Sequence, residues 1–306
     1  AAIGVPALVN AAIARRATKV EPTAWGRRHR YAWDLGDVLF QRLGEGDPLV
    51  LLHSFGPGHD ALEFRDAAEA LATRFQVFAP DLPGWGRSDR PSVDYDAELY
   101  IDFLIDFLND VVRRRAVVVA AGLAAAYAVQ VAVDRPELVR GLVLVCPLGL
   151  DLAGDEPDLK DAVIHRLLRL PIFGTSALNV YSSRRGLEHH LREEVYADPE
   201  RVTDSLIDHH WRGAHESGSR AALAAYLSGY LNHGVGEALK RVHPPTLVVW
   251  GRAAVHPAVE SADRWLHALP DAELEVLERA GILPHAEQPA GFAEAVGRFH
   301  EHLPSA

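Results

Sequence analysis

Five short, almost wholly apolar runs recur along the chain, each too short to form a long helix. They are residues 48–53, 76–80, 116–120, 141–146 and 246–250. Such runs are typical of strands that are buried on both faces of a parallel sheet. Helical patterns lie between them at residues 61–73, 97–112, 123–133, 258–269 and 290–302. This alternation predicts an α/β fold with a doubly wound, mostly parallel sheet.

A hairpin and one amphipathic run complete the predicted sheet. Residues 28–33 and 38–43 flank a Gly-Asp turn, and residues 273–277 read as the last strand, which gives about eight strands in all. Between residues 150 and 241 the pattern is helical and contains no convincing core strand. We therefore predict an N-terminal helical segment (1–27), a core (28–149 and 242–306) and a helical cap (150–241) over the crevice at the strand ends.

The charge balance limits the classes of partner. The 306 residues carry a formal net charge of −11, with 48% hydrophobic and 24% charged residues, which is ordinary for a soluble globular protein. An acidic chain is not expected to bind nucleic acid or an anionic membrane surface, since both are bound through a surplus of Lys and Arg. The single cysteine, Cys146, excludes an internal disulfide and fits a reducing, cytoplasmic compartment.

The N-terminal stretch allows two interpretations. Residues 1–19 are apolar and rich in small residues, but a transmembrane helix needs about 20 apolar residues. The stretch is interpreted as a helix over residues 6–16 that lies on the domain. The alternative is the remnant of a signal or anchor segment of an exported or membrane-associated protein. No other segment is expected to span a membrane, and we expect a monomer or a homodimer.

Residues 117–126, VVVAAGLAAA, have the pattern of a nucleophile elbow without a nucleophile. A β-branched run leads into small residues at Ala120, Gly122 and Ala124, and an alanine-rich helix follows. The elbow turn is so tight that only small residues fit two positions to either side of its centre. Gly122 stands at that centre. It tolerates a positive φ but supplies no hydroxyl, thiol or carboxylate.

Four further motifs occur in a familiar order. They are HSFGPG at 53–58, DLPGWGRSD at 81–89, Trp-Gly at 250–251 and GILPHAEQP at 281–289. With the elbow, these motifs resemble those of the α/β-hydrolase fold superfamily, of the cap-domain type, and the resemblance extends from Arg28 to Leu303. It implies the α/β-hydrolase fold.

The resemblance also implies where a Ser/Asp/His triad would lie, and this sequence departs from it there. The nucleophile position is Gly122, the acid position is Ala254 and the histidine position is Ile282. Removing such a triad lowers the turnover of a serine protease by about a millionfold. We therefore predict that triad-based hydrolysis is absent.

With the triad residues absent, backbone N–H groups are the main polar groups that the resemblance predicts at the site. An oxyanion hole would use the N–H of Leu123 and that of Ser54 or Phe55. The Ser54 hydroxyl is expected at the mouth of this oxyanion hole, with no evident base beside it. His256 is a candidate for a relocated general base. His53 and His285 are expected to be structural. Further candidates for the pocket wall are Cys146, His210, Trp211, Tyr226 and Tyr230.

The 16 histidines do not indicate a metal site, because no HExxH or clustered Cys/His spacing occurs. The adjacent pairs 189–190 and 209–210 diverge by roughly 100° on a helix, and most of the histidines are predicted to lie at the surface. No metal and no cofactor is expected.

Three hypotheses for function follow. The first is a non-hydrolytic enzyme that acts on an apolar small molecule by cyclisation, pericyclic or isomerisation chemistry, which needs mainly orientation. The second is a catalytically silent carrier or sensor, and the third is an active-site knock-out of an ester hydrolase. A cavity under ~150 Å³ would exclude the first two at this site, because ligand pockets span roughly 300 Å³ or more.

Overall fold

Eight strands form one sheet in the computed structural model, which describes residues 4–17, 25–150 and 159–304. The strands are β1 (Arg27–Trp33), β2 (Gly36–Leu43), β3 (Asp47–Leu52), β4 (Phe75–Pro80), β5 (Ala116–Ala121), β6 (Val139–Val145), β7 (Thr246–Gly251) and β8 (Ala272–Leu277). Their order across the sheet is β1-β2-β4-β3-β5-β6-β7-β8. The β1–β2 and β2–β4 pairs are antiparallel and all others are parallel. The predicted fold class is confirmed.

Helices connect the parallel strands, as crossover connections require, and further helices precede β1 and follow β8. They are α1 (Gly4–Ala17), α2 (Arg65–Leu71), α3 (Ala97–Phe107), α4 (Ala124–Asp134), α5 (Leu159–Leu168), α6 (Phe173–Tyr181), α7 (Arg184–His190), α8 (Asp204–His215), α9 (Ser219–Leu227), α10 (Gly236–Leu239), α11 (Ala262–Ala268), α12 (Pro284–Glu287) and α13 (Pro289–His302). Single turns of 3₁₀-helix precede α2 at Ala61–Phe64 and α11 at Val259–Ser261. π-helical turns extend α3 and α7, at Leu108–Val112 and Leu191–Val195.

The central strands are buried on both faces. Every residue of β5 is buried. Because side chains alternate along a strand, Val118 and Ala120 join one apolar cluster, which includes α3 and α4. Val117 and Val119 join the other, which includes α2 and α13. The continuous apolar runs of the sequence are therefore explained by helices that cover both sides of the sheet.

Six helices, α5 to α10, lie between β6 and β7 and are called the cap segment (residues 159–241). The described part of this insertion contains no strand. Ala17 of α1, Leu191 and Val195 share an apolar cluster with Leu283, which follows β8. The cap segment thus contacts the loop at the carboxyl end of the last strand. The division into core and cap domains stays a prediction, and residues 151–158 of the predicted cap lie outside the described residues.

The N-terminal helix is observed over Gly4–Ala17, and it packs on the cap segment. The amide of Asn10 donates to the Ile172 carbonyl oxygen (3.3 Å) and to Ser176 Oγ (3.2 Å). Within the residues that the structure describes, no helix combines the length and the apolar character that crossing a membrane requires.

Candidate functional site

The turn between β5 and α4 has the backbone geometry of an elbow. Gly122 has φ +58, a conformation that disfavours residues with a Cβ, and its N–H donates to the Val145 carbonyl oxygen (2.9 Å). A Cβ placed on Gly122 would meet only Ser54 Cβ within 4 Å, at 3.6 Å. The glycine therefore suits the backbone conformation, while the space beside it is open.

A cavity of about 420 Å³ adjoins this turn, between the carboxyl ends of the strands and the cap segment. Its volume exceeds the limit below which a ligand site would be excluded, and it falls in the range of small-molecule pockets, roughly 300–1,000 Å³. Predicted residues that line it are Ser54, Phe55, Gly122, Leu123, Cys146, Tyr226, His256 and Ile282. The wall is mixed in character, since histidine and glutamate side chains also contribute to it.

Three predicted wall residues lie elsewhere, which corrects the sequence analysis. His210 is buried with Nδ1 3.1 Å from the Pro57 carbonyl oxygen, and burial lowers its pKa to about 3, with His59 and His209 adding to the effect. Trp211 stacks on His215 and lines a separate groove beside α1. The Tyr230 ring stacks on the His165 ring at a centroid distance of 4.1 Å. The stripes of cap aromatics and histidines are therefore mainly packing contacts.

Two residues of the cavity wall have backbone N–H groups without an acceptor in the part of the chain that the structure describes. The N–H groups of Phe55 and Leu123 donate to no acceptor among residues 4–17, 25–150 and 159–304, and both residues line the cavity. The N–H of Ser54, in contrast, donates to Glu63 Oε1 at 2.8 Å. Ser54 therefore does not fit the role of an oxyanion donor, and Phe55 is the member of the predicted pair that remains.

The Ser54 hydroxyl has two titratable neighbours, whereas the sequence analysis found no base beside it. Ser54 Oγ donates to Glu63 Oε2 (2.7 Å) and lies 2.8 Å from His59 Nδ1. His59 Nδ1 is also 3.3 Å from Glu63 Oε2. The four-residue spacing of His59 and Glu63 was the available sequence signal, because it brings two side chains together at the start of a helix.

The Glu63 carboxylate is the centre of this cluster, and its side chain is only 5% exposed. Burial opposes its charge, but His285 and His59 together hold the pKa of Glu63 well below its ordinary value. His285 Nε2 lies 3.3 Å from Glu63 Oε1, and its ring stacks on Phe64. A carboxylate held in the charged form is a poor base, so this cluster is better suited to fixing the loop than to abstracting a proton.

His53 fixes the same loop through hydrogen bonds of its buried ring. The Leu82 N–H donates to His53 Nε2 (2.9 Å), which leaves His53 Nδ1 to donate to the Ser54 carbonyl oxygen (2.7 Å). Asp60 accepts from the Leu62 N–H and lies 2.8 Å from His209 Nε2 of the cap segment. The loop is thus held by buried polar contacts from both sides.

The cap segment contributes a polar pair that the sequence analysis missed. His190 Nδ1 lies 2.7 Å from Glu194 Oε2, one helical turn away, and both residues line the cavity. Burial lowers the pKa of His190, and the nearby His59 adds to this effect. Most of the histidines were predicted to lie at the surface, but His209 and His210 are buried and His190 is half-buried.

His256 and Cys146 both line the cavity, but they differ in the chemistry that each side chain can perform. His256 is exposed, and no carboxylate of the described chain orients its ring by a hydrogen bond. Cys146 is buried, and burial raises the pKa of its thiol to about 12. A thiol in this state is protonated at neutral pH and is not a nucleophile.

The loop after β8 is attached to the cap segment through its backbone. The Ile282 N–H donates to the Val195 carbonyl oxygen at 3.1 Å. Glu287 accepts from the N–H of Gly281 (2.5 Å) and from the N–H of Asp198 (3.1 Å). These bonds place the Ile282 side chain in the cavity wall, while Ala254 lies buried outside it.

Comparison with known families agrees with this geometry. The sequence matches the model described as "Alpha/beta hydrolase family" over residues 49–295. The chain therefore belongs to the alpha/beta hydrolase family.

The relatives in this family are hydrolases of low sequence identity. The chain is 28% identical over 269 residues to 2-hydroxy-6-oxo-6-(2'-aminophenyl)hexa-2,4-dienoic acid hydrolase of Metapseudomonas resinovorans, covering 86% of this chain and 87% of the relative. It is 26% identical over 264 residues to 2-hydroxymuconate semialdehyde hydrolase of Pseudomonas sp. (strain CF600), covering 84% and 87%. The crystal structure of a serine hydrolase involved in carbazole degradation is similar with a TM-score of 0.74 and 22% identity, covering 90% of this chain and 98% of that chain.

Proposed function

We propose that the chain binds a small, mainly apolar molecule with a carbonyl or carboxylate group and converts it without hydrolysis, by an isomerisation, cyclisation or pericyclic reaction. The observation that carries this proposal is the pair of unpaired N–H groups, at Phe55 and Leu123, in a cavity of about 420 Å³. Two preorganised donors can hold one oxygen atom of a ligand, and in a water-poor site each donor contributes a few kcal/mol. A carrier or sensor would use the same donors.

The absence of hydrolysis is inferred from the groups that surround Gly122. Gly122 and Ile282 bring no nucleophile and no base to the cavity, and the Cys146 thiol is protonated. Two hydroxyls remain in the cavity wall, those of Ser54 and Tyr226. Glu63 beside Ser54 is held in the charged form, which makes it a weak base, and burial raises the pKa of Tyr226 to about 12. Orientation of one substrate is then the main contribution that the site can make.

The relatives support the chemical class of the ligand. Their names describe an oxo-dienoic acid and a semialdehyde as substrates, and both contain a carbonyl group. The two N–H donors suit an oxygen of that kind. A carbonyl compound with an apolar body is therefore the ligand class that we propose for this chain.

The binding test removes the N–H donor of Leu123 and uses a control that also loses the leucine side chain but keeps the donor. Leu123 has φ −70, which proline can adopt, so Leu123→Pro deletes the N–H at small backbone cost. Leu123→Ala is the matched control, because it keeps the donor. With 4-phenylbutyrate as the probe in isothermal titration calorimetry, we expect Leu123→Pro to bind about tenfold more weakly than Leu123→Ala. Equal affinities would contradict the role of this donor.

The hydrolysis test uses p-nitrophenyl butyrate. We expect the wild-type chain to release p-nitrophenolate no faster than buffer. Turnover that disappears in Ser54→Ala, with an acyl group on Ser54 detected by mass spectrometry, would overturn the non-hydrolytic proposal. It would show instead that Ser54 acts as a relocated nucleophile.

A further inference from the structure

Large apolar side chains that are exposed to solvent concentrate on three neighbouring helices, α1, α5 and α6. Ten of the fourteen such side chains among the described residues lie on these helices or on the connection between α5 and α6. We call these ten residues the apolar face: Val5, Leu8, Val9, Leu159, Val163, Leu167, Leu170, Phe173, Val180 and Tyr181. Contiguous apolar surface of this kind marks an interaction site on a soluble protein.

The face is continuous because its helices contact one another. The Asn10 side chain of α1 bonds to Ile172 and Ser176 at the start of α6, and the α6 residue Asn179 donates to Asn10 Oδ1 at 2.9 Å. Helices α5 and α6 are joined by a short connection and pack together. The three apolar helix surfaces therefore form one surface.

The pattern on α5 is that of a helix with an apolar partner. Leu159, Val163 and Leu167 follow at intervals of four residues, which places them on one side of the helix. Such a stripe normally faces a core, yet these side chains are 88%, 54% and 55% exposed. Something other than the described part of the chain is needed to cover them.

Charge identifies the kind of partner. Residues 4–17 and 159–185 contain seven basic side chains and one acidic side chain, although the whole chain has a net charge of −11. The basic residues are Arg15, Arg16, Lys160, Arg166, Arg169, Arg184 and Arg185, and the acidic residue is Asp161. Arg169 and Arg184 pair with acidic groups, while Lys160, Arg166 and Arg185 are exposed. The sign of the charge is therefore reversed locally.

We propose that the apolar face docks on a lipid bilayer that contains anionic lipids, with α1 and α5 lying in the plane of the interface. Apolar residues that alternate with Arg and Lys on one helix surface are typical of interfacial helices, which lie on a membrane rather than span it. Anionic headgroups attract the basic residues around the apolar face. They repel the acidic remainder of the chain, so the other surfaces turn away from the bilayer. A second copy of the same face is disfavoured, because it would bring the basic side chains together.

The apolar face reaches the rim of the cavity. Tyr181 ends α6, which packs against α7, and α7 continues into the π-helical turn that contains Glu194. Glu194 lines the cavity. Docking would therefore bring the cavity close to apolar molecules that are dissolved in the lipid. The docking proposal itself does not depend on the chemistry that occurs in the cavity.

Vesicle sedimentation tests the proposal. We expect the wild-type chain to sediment with mixed phosphatidylcholine–phosphatidylglycerol vesicles and less with pure phosphatidylcholine vesicles, and added salt should weaken the binding. Val163→Asp/Leu167→Asp should weaken binding to the mixed vesicles at least about tenfold. The matched control is Leu35→Asp/Leu274→Asp, which changes two exposed apolar residues outside the apolar face and should bind as the wild type does. Thermal unfolding verifies that both variants fold.

Three outcomes would overturn the proposal. The first is a wild-type chain that fails to sediment with the mixed vesicles at low salt. The second is unchanged binding of Val163→Asp/Leu167→Asp. The third is a wild-type dimer in sedimentation velocity that this variant dissociates, because the apolar face would then be an interface between two copies of the chain.

Discussion

The two sides of the cavity differ in how their residues are held. On one side lies the loop of residues 53–60, called the oxyanion loop after its proposed role. The N–H and the hydroxyl of Ser54 both donate to Glu63, and His53 Nε2 accepts from the Leu82 N–H. On the other side, the positions that the resemblance assigns to a triad hold Gly122 and Ile282, whose side chains have no polar atom. Under the proposed function, this contrast means that the part of the site that binds a carbonyl oxygen is retained while the triad positions carry no reacting group.

The oxyanion loop is held independently of the elbow, because most of its contacts are local in the sequence. Glu63 lies in the 3₁₀ turn that follows the loop, so its bonds to Ser54 close within a short stretch of chain. His285 of α12 places Nε2 3.3 Å from the other carboxylate oxygen. None of these contacts uses the elbow. The loop would therefore keep the same conformation whatever residue occupies position 122.

The largest expected effect is on the oxyanion loop itself. Glu63→Ala leaves the N–H of Ser54 and two buried histidines without their common acceptor. We expect the free energy of unfolding to fall by about 3–5 kcal/mol, as is typical when one partner of a buried charged cluster is removed. Urea denaturation measures this change. Glu69→Ala, an exposed glutamate on α2, should stay within about 0.5 kcal/mol of the wild type. Similar losses in both variants would show that Glu63 is not the organising group.

The second prediction concerns a variant in which a triad is introduced at positions 122, 254 and 282. Gly122→Ser combined with Ala254→Asp and Ile282→His should hydrolyse p-nitrophenyl acetate at least about 100-fold faster than the wild type, because the carbonyl donors are already in place. The space beside Gly122 accepts a Cβ. Gly122→Ser alone should stay near the wild-type rate, since Ala254 and Ile282 then supply neither the acid nor the base of a triad. A triple variant that folds and remains inactive would mean that the donors at Phe55 and Leu123 are misplaced for this chemistry.

The sheet could be predicted from the sequence, because burial on both faces leaves a local signature. Each run such as 116–120 is apolar throughout, and the observed strand bounds differ by one or two residues at most. The elbow was also readable, because its tight turn restricts the residue size at positions 120 and 124. Both signals lie within one short segment, so no knowledge of the fold was needed to find them.

The candidate site was only partly predictable, because its main contacts join distant segments. His285 meets Glu63 across 222 positions, and this proximity follows from the order of the strands rather than from any local pattern. The cap segment presents a second difficulty. The four-residue repeat of Leu159, Val163 and Leu167 predicts an apolar stripe, but periodicity does not tell whether that stripe faces the core or the solvent.

The smallest expected effect concerns the contact between the oxyanion loop and the cap segment, and it depends on pH. Burial favours the neutral form of His209, but Asp60 outweighs it and raises the pKa of His209 above its ordinary value. A raised pKa means that the charged contact stabilises the fold fully below about pH 6.5, and that this contribution is lost as the pH rises through the folded-state pKa. His209→Gln keeps a donor for Asp60 but removes the charge. We expect it to cost about 1.5 kcal/mol near pH 6 and less near pH 9.

Unfolding curves of the wild type and His209→Gln at both pH values measure this difference. His302→Gln, an exposed histidine at the end of α13, serves as the control and should show no dependence on pH relative to the wild type. A cost that stays constant between the two pH values would mean that Asp60 and His209 interact as a neutral hydrogen bond. The attachment of the oxyanion loop to the cap segment would then be steric and polar rather than ionic, and the contrast between the two sides of the cavity would rest on Glu63 alone.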